Sequence, residues 1–210
     1  MFWRQVFYII SDMQKRIILA SASEGRKKLL EELGIKFEVI PSEYEEDHSL
    51  QMNPHEFVKF LATLKARDVA SRVESAFVIG ADTMVLFEKE IIGKPKNAKE
   101  ASQTLQKLQG RTHKVITGYA VFDTDKDKYV VDSDEASVTL RPLTEKEITE
   151  YVATGEYIGK AGGYASQGKA SVFIEKISGH FSTVVGLPTH KLTKTLSKMG
   201  YEIVDEWKNK

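Results

Sequence analysis

Acidic, basic and hydroxyl side chains recur at the ends of apolar runs in this sequence, where a fold can hold them for chemistry. Ser21-Ala22-Ser23-Glu24-Gly25-Arg26 follows one such run and leads into a helical pattern. A strand, a turn of small residues and a helix N-terminus present unpaired backbone N–H groups and a positive dipole end to an anion. Arg26 in the first turn opposes that dipole, and an anion held between them would account for it. Equally, Ser23 would serve as a plain N-cap and Arg26 as a solvated surface residue. The segment is not a GxxxxGK[ST] phosphate loop. Asp82 closes the apolar run of residues 77–81 in Gly80-Ala81-Asp82-Thr83. An aspartate there suits holding Mg²⁺, activating water, or closing the strand with an Asx-turn.

Other candidates carry two readings each. Lys65 falls at the edge of an apolar helical stripe, stacked with Val58 and flanked by Val69. The helical wheel favours a lysine that snorkels to water over one aimed at a phosphate in a cleft. Lys94, between Gly93 and Pro95, sits on a stiff loop that suits either a fixed charge or an ordinary exposed turn. In Arg111-Thr112-His113-Lys114, His113 either begins a strand or faces a cleft. In the glycine-rich segment 161–168, glycines let backbone approach a ligand, and Gln167 offers both a donor and an acceptor to a base edge; a flexible loop is the other reading.

The elements that would position these residues alternate between α and β. Residues 16–20 read as a short buried strand, and residues 24–33 as a helix with Leu29, Leu30 and Leu33 inward and Gly34 as its stop. Residues 37–40 read as a second strand, followed by an acidic loop over Glu43, Glu45, Glu46 and Asp47. Asn53, Pro54 and Glu56 start a helix whose period is carried by Phe57, Phe60, Leu61 and Leu64. A strand over 77–80 continues extended to Phe87. Asn97 and Glu100 cap a helix carrying Leu105 and Leu108. Residues 114–122 and 129–140 form a hairpin around a polar turn. Thr144 and Glu147 make a capping box, residues 171–177 read as a strand, and Pro188 opens a last helix that ends at Gly200. This order predicts an α/β protein in one compact or bilobed unit over residues 15–205, preceded by an extension, residues 1–14.

Composition narrows the function. Lys plus Arg and Asp plus Glu number 30 each, so the formal charge is zero; a dedicated nucleic-acid binder carries a basic excess. There is no cysteine, which removes thiolate nucleophiles and Cys-ligated zinc. The five histidines form no HExxH motif or close pair, so a metal would be a hard ion on carboxylates and phosphate oxygens. The apolar residues near the N-terminus are interrupted at Ser11, Asp12, Gln14, Lys15 and Arg16, short of a membrane span. A cytoplasmic location is expected, without a nucleic-acid or membrane partner; a homodimer is neither required nor excluded.

Taken in order, these pieces resemble the Maf family of nucleotide pyrophosphatases. They are LASAS with Arg26 at 19–26, the acidic loop ending at Glu45-Glu46, LKA at 64–66, IGADT at 79–83, GKP at 93–95, GRTHKVITG at 110–118, AGGY with QG at 161–168, and VVGLP at 184–188. Eight pieces in one order span residues 16–200. The resemblance implies a mixed sheet with flanking helices and a cleft between two lobes, like that of the inosine triphosphate pyrophosphatases. It implies hydrolysis of a nucleoside triphosphate, dTTP or UTP among the pyrimidines, to the monophosphate and pyrophosphate with Mg²⁺ or Mn²⁺. Asp82 is then the proton acceptor or a metal ligand, with Glu46 as the cleft carboxylate and second metal ligand. Ser21, Ser23, Arg26, Lys65 and Lys94 would serve the phosphates, and Thr83 and Gln167 the base. The family turn has Pro-Arg where this chain has Glu24-Gly25. That departure favours one rival, a pyrophosphatase for modified nucleotides. A second rival is a non-catalytic nucleotide sensor acting in cell division, which intact Asp82, Lys65 and Lys94 disfavour.

Overall fold

The computed structural model describes residues 15–46 and 52–207; the expected extension over 1–14 and Asp47 of the acidic loop lie outside the described residues. Strand β1 (Arg16–Leu19) is buried after its first residue, because parallel strands flank it on both sides: β2 (Phe37–Val39) and β3 (Ala76–Phe87). Parallel neighbours need crossovers. Helix α1 (Glu24–Glu32) makes the first and α2 (Pro54–Ala70) the second. The remaining pairings are antiparallel. Strand β4 (Glu90–Ile92) folds back on β3, and helix α3 (Ala98–Leu108) leads to the long hairpin of β5 (Thr112–Asp123) and β6 (Lys128–Leu140). Helix α4 (Glu145–Ala153), two 3₁₀ turns (Ala161–Gly163 and Lys169–Phe173), β7 (Ile174–Ser178), α5 (Phe181–Val185), α6 (Thr189–Lys198) and α7 (Ile203–Glu206) complete the chain. The seven-stranded mixed sheet runs β2-β1-β3-β5-β6-β7, with β4 on β3.

Local chemistry sets the helix starts as expected. The side chains of Asn53, Asn97 and Thr144 accept from the backbone N–H of His55, Glu100 and Glu147, and Glu147 returns a bond to Thr144. Each satisfies donors that a helix N-terminus leaves unpaired.

Helix α2 is seated against bare backbone. A Cβ at Gly80 of β3 would stand 2.7 Å from the Ala66 nitrogen, and one at Gly118 of β5 would stand 2.5 Å from the Val58 carbonyl oxygen. Gly80 and Gly118 therefore let the helix approach the sheet more closely than any side chain would allow. The packed stripe is Phe57, Val58, Leu61, Ala62, Ala66 and Val69. Phe60, expected in that stripe, is instead exposed, and Leu64 is only half-buried; small alanines fill the inner face because the contact is so close.

Two large cores lie along β3. Phe77, Ile79 and Ala81 pack with β1, α1 and α6, whereas Val85 and Phe87 pack with α3, α4 and the end of β6. On its β1 side, β3 is paired as far as Ile79 and again from Val85, where β4 begins. Residues 80–84 thus face a gap in the sheet edge, between the two cores.

Two expectations change in the C-terminal third. Residues 171–177 are not one strand: Lys169–Phe173 is a 3₁₀ turn and β7 starts at Ile174. The Glu156 carboxylate accepts the backbone N–H groups of Lys169 and Ala170, which curls the chain there. Helix α6 is not the last, since α7 follows Gly200.

Candidate active site

The gap in the sheet edge opens into a cleft of about 540 Å³, lined by Ser21, Ser23, Gly25, Arg26, Glu46, Lys65, Asp82, Thr83, Lys94 and Gln167 among others. All nine expected site residues, Gln167 included, reach this one cleft. Residues distant in sequence meet here because β3 carries Asp82 and Thr83 past the point where β1 stops.

Lys65 overturns the expectation that its ammonium snorkels to water. Its Nζ donates to Asp82 Oδ1 at 2.6 Å and pairs with Glu46 Oε1 at 2.6 Å, and its side chain is 12% exposed. The close seat of α2 on Gly80 and Gly118 brings the lysine down to the sheet. Asp82 is buried at 7% exposure, so it is not the solvent-facing Asx-turn the sequence allowed. The lysine offsets part of the cost of keeping two carboxylates in a poorly solvated place.

Arg26 occupies the opposite side. Its Nε donates to the Gly186 carbonyl at 2.8 Å, one Nη to Ser21 Oγ at 3.0 Å and the other to Thr83 Oγ1 at 3.1 Å. Ser23 caps α1 by accepting from the Arg26 N–H. All three acceptors, one backbone carbonyl and two hydroxyls, are neutral. Burial pushes the Arg26 guanidinium below its ordinary value, and the charges of Asp82 and Glu46 hold it up. A partly buried cation that bonds no carboxylate among the described residues is costly unless an anion completes it.

Lys94 and Gln167 also line the cleft, Gln167 close to Gly25 of α1. The loop of Lys94 is tied to the glycine-rich segment by the Gly162 N–H donating to the Gly93 carbonyl at 3.1 Å. Gly162 and Gly163 both adopt positive φ, at 73° and 72°, which fixes a turn that other residues adopt only under strain. The segment therefore takes a defined turn tied to the Lys94 loop. Gln167 itself is exposed at the mouth.

His113 does not face the cleft. It is 2% exposed, and its Nε2 lies 2.6 Å from the Tyr164 hydroxyl, with Nδ1 buried and unpartnered. Burial drops its pKa to about 4. Sequence reasoning missed Lys160 and Tyr164, which also line the cleft. Both belong to the glycine-rich stretch, but nothing local distinguishes them from loop residues.

For a metal, the donor set is two carboxylates, Asp82 and Glu46, converging on one ammonium. No cluster of three His, Asp or Glu that could hold a metal ion occurs among the described residues. Two carboxylates fit a hard ion such as Mg²⁺ that takes its remaining ligands from phosphate and water.

Fold and site together define a mixed α/β protein whose cleft, at the gap in the sheet edge, gathers a carboxylate pair with partly buried and loop-borne cations. The chain belongs to the family described as Maf-like protein, which its residues 16–199 match. It is 44% identical over 193 residues to a dTTP/UTP pyrophosphatase of Dictyoglomus thermophilum, covering 91% of this chain and 100% of that protein. It is 46% identical to a dTTP/UTP pyrophosphatase of Alkaliphilus metalliredigens, covering 88% of this chain and 96% of that one, and 44% identical to one of Methanosarcina mazei, covering 91% and 98%. Among solved structures, a nucleoside-triphosphatase/dITP/XTP pyrophosphatase from Mycobacterium abscessus aligns with a TM-score of 0.41 at 12% identity, covering 88% of this chain and 94% of that one. The Ham1 protein of Staphylococcus aureus aligns with a TM-score of 0.42 at 18% identity, covering 60% and 72%.

Proposed function

We propose that this chain hydrolyses dTTP and UTP to the nucleoside monophosphate and pyrophosphate. The observation that carries the reading is Lys65 bridging Asp82 and Glu46 in a cleft whose other side holds Arg26 without a bonded carboxylate. The relatives named as dTTP/UTP pyrophosphatases supply the substrate class.

In this reading the triphosphate completes Arg26 and is neutralised by Lys94 and by Lys160. Asp82, oriented by Lys65, accepts the proton of a water that attacks the α-phosphorus. The bond from that phosphorus to the bridging oxygen breaks, and pyrophosphate departs against the cations. Such chemistry rests on positioning and charge more than on covalent intermediates. Asp82 and Glu46 would hold Mg²⁺ or Mn²⁺, which supplies further neutralisation of phosphate charge. Ser21 and Ser23 order the turn beneath the phosphates, and Thr83 and Gln167 lie toward the base. The unit is residues 15–205, acting in the cytoplasm; no helix among the described residues is long and apolar enough to cross a membrane.

The test is pyrophosphate release from dTTP, UTP, CTP, GTP, 7-methyl-GTP and 5-methyl-UTP, with and without Mg²⁺ or Mn²⁺. Binding without release of pyrophosphate from any of them would make the chain a sensor and sink the reading.

A further inference from the structure

Thr117 does not itself line the cleft, yet its hydroxyl governs two groups that do. It is fully buried on β5, directly across from Thr83 in the β3–β5 ladder. Its Oγ1 donates to the Thr183 carbonyl at 2.8 Å and lies 3.0 Å from Thr83 Oγ1. A carbonyl oxygen only accepts, so the single Thr117 proton goes to Thr183. The proton between the two threonines must then come from Thr83. With its own proton given away, Thr83 has only lone pairs left, and one of them receives the Arg26 Nη2–H at 3.1 Å. The direction of every bond from the Thr183 carbonyl to the guanidinium is therefore fixed. A threonine free to rotate could turn its proton toward Arg26 and repel it; this one cannot. The same guanidinium is held by Gly186 and Ser21, leaving one N–H on each terminal nitrogen for the cleft.

We propose that Thr117 is a positioning residue for the phosphate site: through Thr83 it fixes the Arg26 guanidinium in the orientation that meets the substrate. This rests on the reading of the cleft as a triphosphate site. Thr83, matched to base choice by family resemblance, acts in this account first as Arg26's acceptor and offers the cleft no donor of its own.

The experiment compares wild type with Thr117→Val, Thr117→Ser, Thr83→Val and the double variant Thr83→Val/Thr117→Val. It reads kcat and KM for dTTP, melting temperature, and the Arg26 Nε–H resonance in ¹⁵N NMR of the full chain. Loss of a buried hydrogen bond to a charged group corresponds to roughly 10-fold or more. Each valine variant is expected to lose about that much in kcat/KM and to shift the Arg26 resonance. The double variant should lose no more than either single one, and Thr117→Ser should restore both readouts. Wild-type kcat/KM in folded Thr117→Val, multiplied losses in the double variant, or no rescue by serine would overturn the proposal. If Thr117→Val does not fold, Thr83→Val decides: an unmoved Arg26 resonance there overturns it equally. A wild-type protein that releases no pyrophosphate from dTTP fails the functional reading instead, and the resonance then tests the relay independently of turnover.

Discussion

Asp82 and Thr83 are neighbours on β3, yet one accepts from Lys65 of α2 and the other from Arg26 of α1. Successive strand residues point to opposite faces, so a one-residue step delivers an acid to one side of the cleft and a cradle for a cation to the other. The arrangement works only because β3 has no strand partner on that edge between Ile79 and Val85.

Asp82→Asn removes the proposed proton acceptor while keeping shape and an oxygen for the bond to Lys65. Turnover should fall by at least ~100-fold, the usual scale of a general base, with melting temperature little changed. Lys65→Met should also cost turnover, because it removes the ammonium that lies between the Asp82 and Glu46 carboxylates. Steady-state kinetics on both variants check this; a silent Lys65→Met would return the lysine to a merely structural role.

The sites of close approach make a stability prediction that reaches the chemistry. Gly80→Ala puts a methyl group into the Ala66 backbone and forces α2 outward. Overpacking of this kind costs about 1–3 kcal/mol or more. Because Lys65 rides on the same helix one residue away from Ala66, kcat should fall with stability. Urea denaturation and kinetics on one preparation test the link: a destabilised protein with wild-type kcat would mean that Lys65 reaches Asp82 without the close seat.

How far the sequence revealed this site differs residue by residue. Asn53, Asn97 and Thr144 start helices through bonds within three residues, so local reading sufficed. Lys65 was misread because a helical wheel reports which edge a residue occupies, not what the tertiary fold places beside it; its partners Glu46 and Asp82 are brought by a loop and a strand. The Thr83–Thr117 bond joins positions 34 apart, and the threonine in GRTHKVITG is unremarkable by type. His113 was ambiguous for the same reason, its partner Tyr164 being 51 residues away. Residues 171–173 looked extended by composition, but the Glu156 carboxylate competes for their neighbours' N–H groups and wins.

His113 gives a pH dependence with a definite sign. Its pKa is about 4 in the fold, held down by burial, against 6.5 when unfolded. Between those values the unfolded chain binds the proton and the folded one does not, so stability declines as pH falls below about 6.5 and the loss is complete below about 4. The contribution is on the order of 3 kcal/mol at the acid end. Melting temperature should therefore drop between pH 7.5 and pH 5 in wild type, and drop less in His113→Asn, whose baseline is lower. Parallel curves for the two proteins would show that another group titrates.

Gly25 stands where the family resemblance implies an arginine, and the surroundings define what a side chain there would do. A Cβ would stand 3.1 Å from Val185 Cγ1 and 3.5 Å from Gln167 Oε1. The first contact is tight, so any larger residue needs Val185 to shift; the second would place a side chain beside the Gln167 amide, the group proposed to read the base. Gln167 can donate to a carbonyl and accept from an N–H at once, which suits the edge of uracil or thymine. Without a side chain at 25, the wall beside Gln167 is Val185 and not a cation. Wild type should therefore favour dTTP and UTP over GTP and 7-methyl-GTP in kcat/KM, while tolerating 5-substituted or larger bases better than a protein with arginine at that position. Gly25→Arg should sharpen the pyrimidine preference, and Gly25→Arg combined with Val185→Ala should do so without the loss of stability that crowding imposes on the single variant. Measured kcat/KM ratios across the five nucleotides dTTP, UTP, 5-methyl-UTP, GTP and 7-methyl-GTP decide the matter. A wild-type preference for 7-methyl-GTP would remove Gln167 from base selection, and an unchanged ratio in both arginine variants would mean that position 25 does not reach the base.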